Sequence, residues 1–172
     1  MHNLALDLGR VASLGGGDQD RIVASDRAYH LRPGLPVERF GHLDIVVCNV
    51  GESFGGSSLE ASDEDWMKTL DANLMHSVRT IRAALPHMKE GGGGSVAIVS
   101  SISGWKPGPG AQYGAAKASE IFLATSLAWE LAPYGIRVNT VCPGSIMFEG
   151  GGWDKYRQND PESFAAFLER DL

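Results

Sequence analysis

Three short runs rich in β-branched residues constrain this chain more than anything else in it. Residues 43–50 (LDIVVCNV), 95–100 (SVAIVS) and 136–142 (IRVNTVC) are apolar stretches of strand length. The first two are nearly continuous in apolar residues, as strands buried on both faces should be. Each pair of runs is separated by a segment too long for a hairpin. Between the first two, Trp66, Leu70, Leu74, Val78, Ile81 and Leu85 recur at steps of three and four, which predicts one buried helical stripe. Ser62 with Asp65 three residues on is a capping signal for that helix, and Pro86 falls near its end. Gly91 to Gly94 then supply a helix cap and loop. A second, Ala-rich helix is predicted from Tyr113 to Tyr134, with Ile121, Leu127 and Leu131 on or near one side.

Strand, helix, strand, helix, strand, joined by long connections, reads as consecutive βαβ units. The expected fold class is α/β: a Rossmann-like, doubly wound parallel sheet with helices on both faces. Ligands of such sheets bind at the carboxyl ends of the strands. Here those ends carry Asn49-Val50-Gly51, Ser100-Ser101 and Pro143-Gly144.

Composition narrows the function classes. The 172 residues are 43% hydrophobic and 21% charged, ordinary values for a soluble globular protein of one domain. A net charge of −6 without a Lys/Arg cluster argues against nucleic acid as a partner. No apolar run reaches the roughly 18 residues that cross a bilayer, and residues 1–10 (MHNLALDLGR) lack the pattern of a secretory signal. Cys48 and Cys142 form no C-x-x-C, and the five histidines never adopt H-x-x-x-H spacing. No metal site is expected, and a reducing, cytoplasmic setting fits the two free cysteines.

Downstream of the second strand lies Tyr113-Gly114-Ala115-Ala116-Lys117. Tyr and Lys four apart on a helix share a face. A phenol ordinarily titrates near 10, and a neighbouring ammonium favours its ionised form, bringing it toward acid–base work at neutral pH. A hydroxyl at the strand end could hold a carbonyl or alcohol oxygen beside it.

Residues 40–148 resemble the short-chain dehydrogenase/reductase family. LDIVVCNVG matches its N-A-G segment, with Val50 in place of the usual Ala; DANLM carries the helix Asn; and IVSSISG carries the Ser. YGAAK supplies the Tyr and Lys, and IRVNTVCPGSI supplies the last strand with its Pro-Gly turn. The resemblance implies Asn73, Ser101, Tyr113 and Lys117 as a catalytic tetrad. Tyr113 would be the general acid/base, and Lys117 would lower its pKa and bind the nicotinamide ribose. Ser101, favoured over Ser100 by the family register, would position the substrate oxygen, and Asn73 would hold a water in the proton relay. Asn49, Gly51, Tyr113, Lys117, Pro143, Gly144 and Ile146 would contact NAD(H) or NADP(H). The substrate would be a small carbonyl or alcohol, with Met147, Phe148 and Trp153 suggesting an apolar pocket. The family's oligomers further imply a homo-oligomer, dimer or tetramer, built on the two long helices.

Relative to the family, both ends of this single domain read as incomplete. Residues 1–39 are atypical, without the T-G-x-x-x-G-x-G loop that seats a pyrophosphate at a helix N-terminus. The cluster Ser13 to Gly17 has other spacing, and residues 21–25 followed by Asp26 resemble a remnant of the family's third strand. Residues 149–172 read as a shortened substrate-lid region. The expectation is therefore weak or absent cofactor binding by this chain. Two alternatives remain: a non-catalytic binding or scaffold protein of the same fold, and a hydrolase using Ser53 of Gly51-Glu52-Ser53-Phe54-Gly55 as a nucleophile elbow.

Overall fold

The computed structural model describes residues 10–11, 22–25, 38, 40–108 and 110–171. It divides into two compact units, Met1–Cys142 and Pro143–Leu172. The first holds a five-stranded sheet in the order β1-β2-β3-β4-β5: Arg10–Val11, Ile22–Ser25, Ile45–Cys48, Gly94–Val99 and Ile136–Val141. β1 runs antiparallel to β2, and β2 to β5 are parallel to one another. The three apolar runs therefore form adjacent parallel strands, as their spacing predicts. Residues 22–25 pair directly with β3. Asp26 and the Ser13 to Gly17 cluster lie outside the described residues.

Between β3 and β4 the chain makes one long helical run. α1 (Asp63–Leu70) opens on a full capping box, in which Asp65 N–H donates to Ser62 Oγ and Ser62 N–H donates to Asp65 Oδ2. It passes through a π-helical turn at Asp71–Met75 into α2 (His76–Glu90), which carries Pro86 in its last turns. α3 (Ala111–Leu131) joins β4 to β5, with a 3₁₀ turn at Ala132–Tyr134. Gly93, at φ +130°, lets the end of α2 enter β4 against the turn before β5; a Cβ there would stand 2.6 Å from Gly135 O.

The buried stripe of α1 and α2 is not the one the apolar spacing predicts. Thr69, Ala72, Asn73, Ser77, Thr80, Ile81, Ala84 and Met88 are buried, whereas Trp66, Leu70, Leu74, Val78 and Leu85 are only half-buried. The inner face of the first half of this run is small and polar, and its Ser77 meets the buried Glu120 of α3. Its larger apolar residues flank that face.

The sheet also differs from two-sided burial. Val46, Val96 and Val138 pair across β3, β4 and β5, and with Cys48, Ile98 and Ile136 they form one buried face. Ile81, Ala84 and Met88 of α2 and Ala124 and Leu131 of α3 belong to the same core cluster, so both helices pack on that face. Opposite it, Ile45, Val47, Ala97 and Val99 are half-buried and Arg137, Asn139 and Val141 exposed. The continuous apolar runs thus conceal a period-two burial pattern.

The second unit packs α4 (Gly152–Asn159) with α5 (Pro161–Asp171) through aromatic contacts. Trp153 stacks on Phe167 at 4.5 Å, and Tyr156 meets Phe164 edge-on at 5.6 Å. Asp154 accepts from Gly150 N–H, Arg157 and Gln158, which together hold its carboxyl at about 2. Trp153 is thus engaged within this small aromatic core, while Ile146, Met147 and Phe148 are exposed. Among the described residues, no helix is long and apolar enough to cross a membrane, and no group of three His, Cys, Asp or Glu could hold a metal ion.

A one-sided core makes a direct prediction. Ile98→Ala, on the packed face, is expected to lower unfolding free energy by about 2–5 kcal/mol, and Val47→Ala, on the other, by about 1 kcal/mol. Urea denaturation of the two variants measures both; equal losses would show that both faces are packed alike.

Candidate active site

Parallel strands bring their carboxyl ends to one edge of the sheet, and the chain places its unusual residues there. The loop leaving β3 passes so close to α1 and α3 that only glycine fits at position 51. A Cβ on Gly51 would lie 2.8 Å from Asn73 Oδ1 and 3.0 Å from Lys117 Nζ. Three of the residues singled out from sequence therefore meet at one point.

Asn73 sits in the π-helical turn, fully buried. Its Nδ2 donates to Glu52 O and to Thr69 O, both at 2.7 Å, tying the loop after β3 to the helix. Its Oδ1 has no hydrogen-bond partner among the described residues. A buried acceptor left open in this way invites a water or ligand donor. π-turns recur at functional sites because they break the regular ladder and turn a side chain inward.

The two serines at the end of β4 separate cleanly. Ser100 is buried and donates to Lys117 O at 2.7 Å, fastening α3 to the strand. Ser101 accepts from Ser103 N–H at 3.1 Å, and its hydroxyl acts on the Tyr113 phenol, favouring the ionised form. Of the two serines, Ser101 is the one whose hydroxyl influences the Tyr113 phenol.

Tyr113 and Lys117 share a face of α3, with Lys117 Nζ 5.6 Å from the centre of the Tyr113 ring. The expected electrostatics do not follow. Tyr113 is raised above the ordinary phenol value, chiefly by burial and further by the Glu120 carboxylate, while the Ser101 hydrogen bond opposes the rise. The ammonium itself is engaged elsewhere. Lys117 Nζ donates to Val99 O at 3.1 Å and to Glu120 Oε2 at 2.9 Å, so its charge is met by an anion. Glu120 is itself fully buried; burial pushes its carboxyl up, and Lys117 pulls it back. Ser77 Oγ donates to its other oxygen at 3.3 Å.

Sequence reading missed Glu120, Ser77, Thr69 and Gln112. Glu120 had a signal, an acid three residues from a lysine in an otherwise apolar stretch of helix. Gln112, also buried, donates through Nε2 to Phe54 O at 3.1 Å and Gly56 O at 3.2 Å. Thr69 Oγ1 accepts from Phe54 N–H, and Ser58 Oγ accepts from Ala111 N–H, so the loop after β3 is pinned to the end of α1 and the start of α3. Ser53 is exposed in this loop, and the next helix starts only at Asp63, which is not the abrupt strand-to-helix turn of a nucleophile elbow. Asn49 is exposed at the end of β3. Pro143, half-buried, and Gly144 and Ile146, both exposed, belong to the second unit. Cys48, beneath Glu120 and Ser77, is pushed up to about 12 by burial, an inert thiol.

The family model for short chain dehydrogenases matches residues 36–151. An uncharacterized NAD-dependent oxidoreductase of Mycobacterium tuberculosis is 45% identical over 112 residues, 64% of this chain and 41% of the relative. Human dehydrogenase/reductase SDR family member 4 is 40% identical over 131 residues, 75% of this chain and 44% of the relative. Among solved structures, an oxidoreductase of the short chain dehydrogenase/reductase family from Burkholderia thailandensis superposes with a TM-score of 0.69 at 30% identity, covering 78% of this chain and 52% of that one. ElxO with NADP bound gives 0.68 at 31%, covering 76% and 54%. The chain spans about half the length of the relatives it matches. With its family motifs gathered at one sheet edge and more than half its length matched, the chain belongs to the short-chain dehydrogenase/reductase family.

Proposed function

We propose that this chain carries the catalytic centre of an NAD(P)-dependent oxidoreductase that interconverts a carbonyl and an alcohol. The observation that supports it best is the meeting of Gly51, Asn73 and Lys117 at one point, with the Tyr113 ring 5.6 Å from the Lys117 ammonium. Bound nicotinamide would supply or accept the hydride. The bare Gly51 backbone and the open Asn73 Oδ1 suit such a ligand: the first permits close approach, and the second can take a water or hydroxyl donor.

Each side chain then has a task. Ser101 orients the substrate oxygen by hydrogen bonding. In reduction, Tyr113 gives its phenolic proton to that oxygen as hydride arrives at carbon; in oxidation, the phenolate takes the proton back. Lys117 would hold the ribose hydroxyls, and Asn73 a water that resupplies the proton. Asn49, at the end of β3, would add to the nicotinamide contacts.

The pyrophosphate side is weaker. Without a glycine-rich loop, losing even ~3 kcal/mol of phosphate recognition would lower affinity more than a hundredfold. This chain alone is therefore expected to bind NAD(H) or NADP(H) weakly. Calorimetric titration with both cofactors tests this, and micromolar affinity would contradict it. The scaffold reading has no specific observation in its favour.

Self-association is part of the proposal. Ala111, Ala115, Ala118, Phe122, Thr125 and Trp129 lie exposed along α3 at alternating steps of four and three. Phe122 and Trp129 are 73% and 84% exposed. A continuous stripe of this kind suits helix pairing with a second copy in a symmetric dimer. Light scattering should give a dimer or larger species, and Phe122→Glu with Trp129→Glu should give monomer; an unchanged mass would exclude this face.

Tyr113→Phe should lower turnover by about 10²–10⁴-fold while circular dichroism stays unchanged. Because the Tyr113 phenol lies above its ordinary value, it is protonated at neutral pH. Carbonyl reduction should thus hold through neutral pH and fall as the phenol ionises, whereas alcohol oxidation should rise with alkaline pH. Steady-state rates in both directions check the signs; full activity of the Phe variant would remove the mechanism.

A further inference from the structure

Glu120 has no part in the chemistry above, yet it is bound to the ammonium on which that chemistry depends. Lys117 and Glu120 expose only 3% and 1% of their side chains, and their charged atoms stand 2.9 Å apart. One carboxylate oxygen takes the ammonium and the other takes Ser77 Oγ. Val99 O accepts a second ammonium hydrogen, so Lys117 is clamped between a strand end and its own helix. The buried neighbours of Glu120 on α3 include Ala116 and Ala124 but also Lys117, whose ammonium an apolar side chain at 120 would leave buried without an anion. Packing alone does not account for an acid at this position.

The groups around Glu120 make its electrical role specific. α3 presents Lys117 and Tyr113, and β3 presents Cys48. α2 presents Ser77 and Thr80, with His76 beyond Thr80 at 3.5 Å. Lys117 is the cation of this buried group, and the Glu120 carboxylate offsets it at short range.

We propose that Glu120 is a positioning residue for the Tyr113–Lys117 pair, holding the Lys117 ammonium against Val99 O and limiting how much of its charge reaches the Tyr113 phenol. The electrostatic part stands on the geometry alone; its catalytic meaning rests on the function proposed above. A ligand hydroxyl that draws Nζ away from Glu120 would expose the phenol to the full ammonium charge, coupling ligand binding to the readiness of Tyr113.

The test is a pH titration of the whole chain, labelled with ¹³Cζ-tyrosine and followed by NMR, with Tyr113→Phe identifying the resonance. Glu120→Gln keeps the shape and removes the anion. The Tyr113 titration should move to lower pH in that variant, and by a smaller amount in Glu120→Asp, whose carboxylate is drawn back by one methylene. Where the enzyme turns over, the alkaline limb of the reduction profile should move by the same interval. A folded Glu120→Gln variant whose Tyr113 titrates as in the wild type overturns the proposal. Should Glu120→Gln fail to fold, an unchanged titration in Glu120→Asp overturns it equally. Turnover of Tyr113→Phe reports separately: full activity there refutes the proposed function and leaves the electrostatic result standing.

Discussion

A primary ammonium buried beneath a sheet edge must be met by acceptors, and the architecture around Lys117 follows from that need. Its hydrogens go to the Val99 carbonyl at the end of β4 and to Glu120 on its own helix. The first bond requires α3 to lie directly over β4, which Ser100 secures by donating to the Lys117 carbonyl. The second fills the space between α2 and α3 with a carboxylate, which must in turn be met by Ser77. The polar inner face of α1 and α2 is therefore a consequence of the buried pair. Gly51 completes the arrangement, because any side chain there would strike Asn73 and Lys117.

Much of the fold was legible in the sequence. The three β-branched runs, the Ser62–Asp65 box and the long connections specify a parallel α/β sheet by local chemistry alone. The Tyr113–Lys117 spacing and Ser101 were legible for the same reason, since helical periodicity and strand ends fix their relative places. What escaped were properties set by tertiary neighbours. Apolar periodicity ranks Leu70, Leu74 and Val78 above Thr69, Asn73 and Ser77, although the latter face the interior, because periodicity cannot see a buried charge across the gap. The alternating burial of Val46, Val96 and Val138 was hidden by apolar residues on the opposite face as well. The Tyr113 phenol was expected to fall beside Lys117 and instead rises, chiefly because it is buried, with the Glu120 carboxylate adding to the rise.

The relatives show what this chain shares and what it leaves to other residues. The matched region, residues 36–151, holds β3, β4 and β5 and the helices that join them. About half the length of those relatives lies outside the match. The exposed stripe of α3 and the lightly covered face of the sheet are surfaces on which further burial, from more chain or another copy, would add stability.

The central claim is that Lys117 and Glu120 act as one buried unit, and a double-mutant cycle on stability tests it most directly. Lys117→Met and Glu120→Leu, measured by chemical denaturation, should each cost about 3–5 kcal/mol, because each leaves a charge buried without its partner. The double variant should recover most of that loss, since two apolar side chains replace a matched pair. Losses that simply add in the double variant would show that the two side chains do not depend on each other, and would contradict the account.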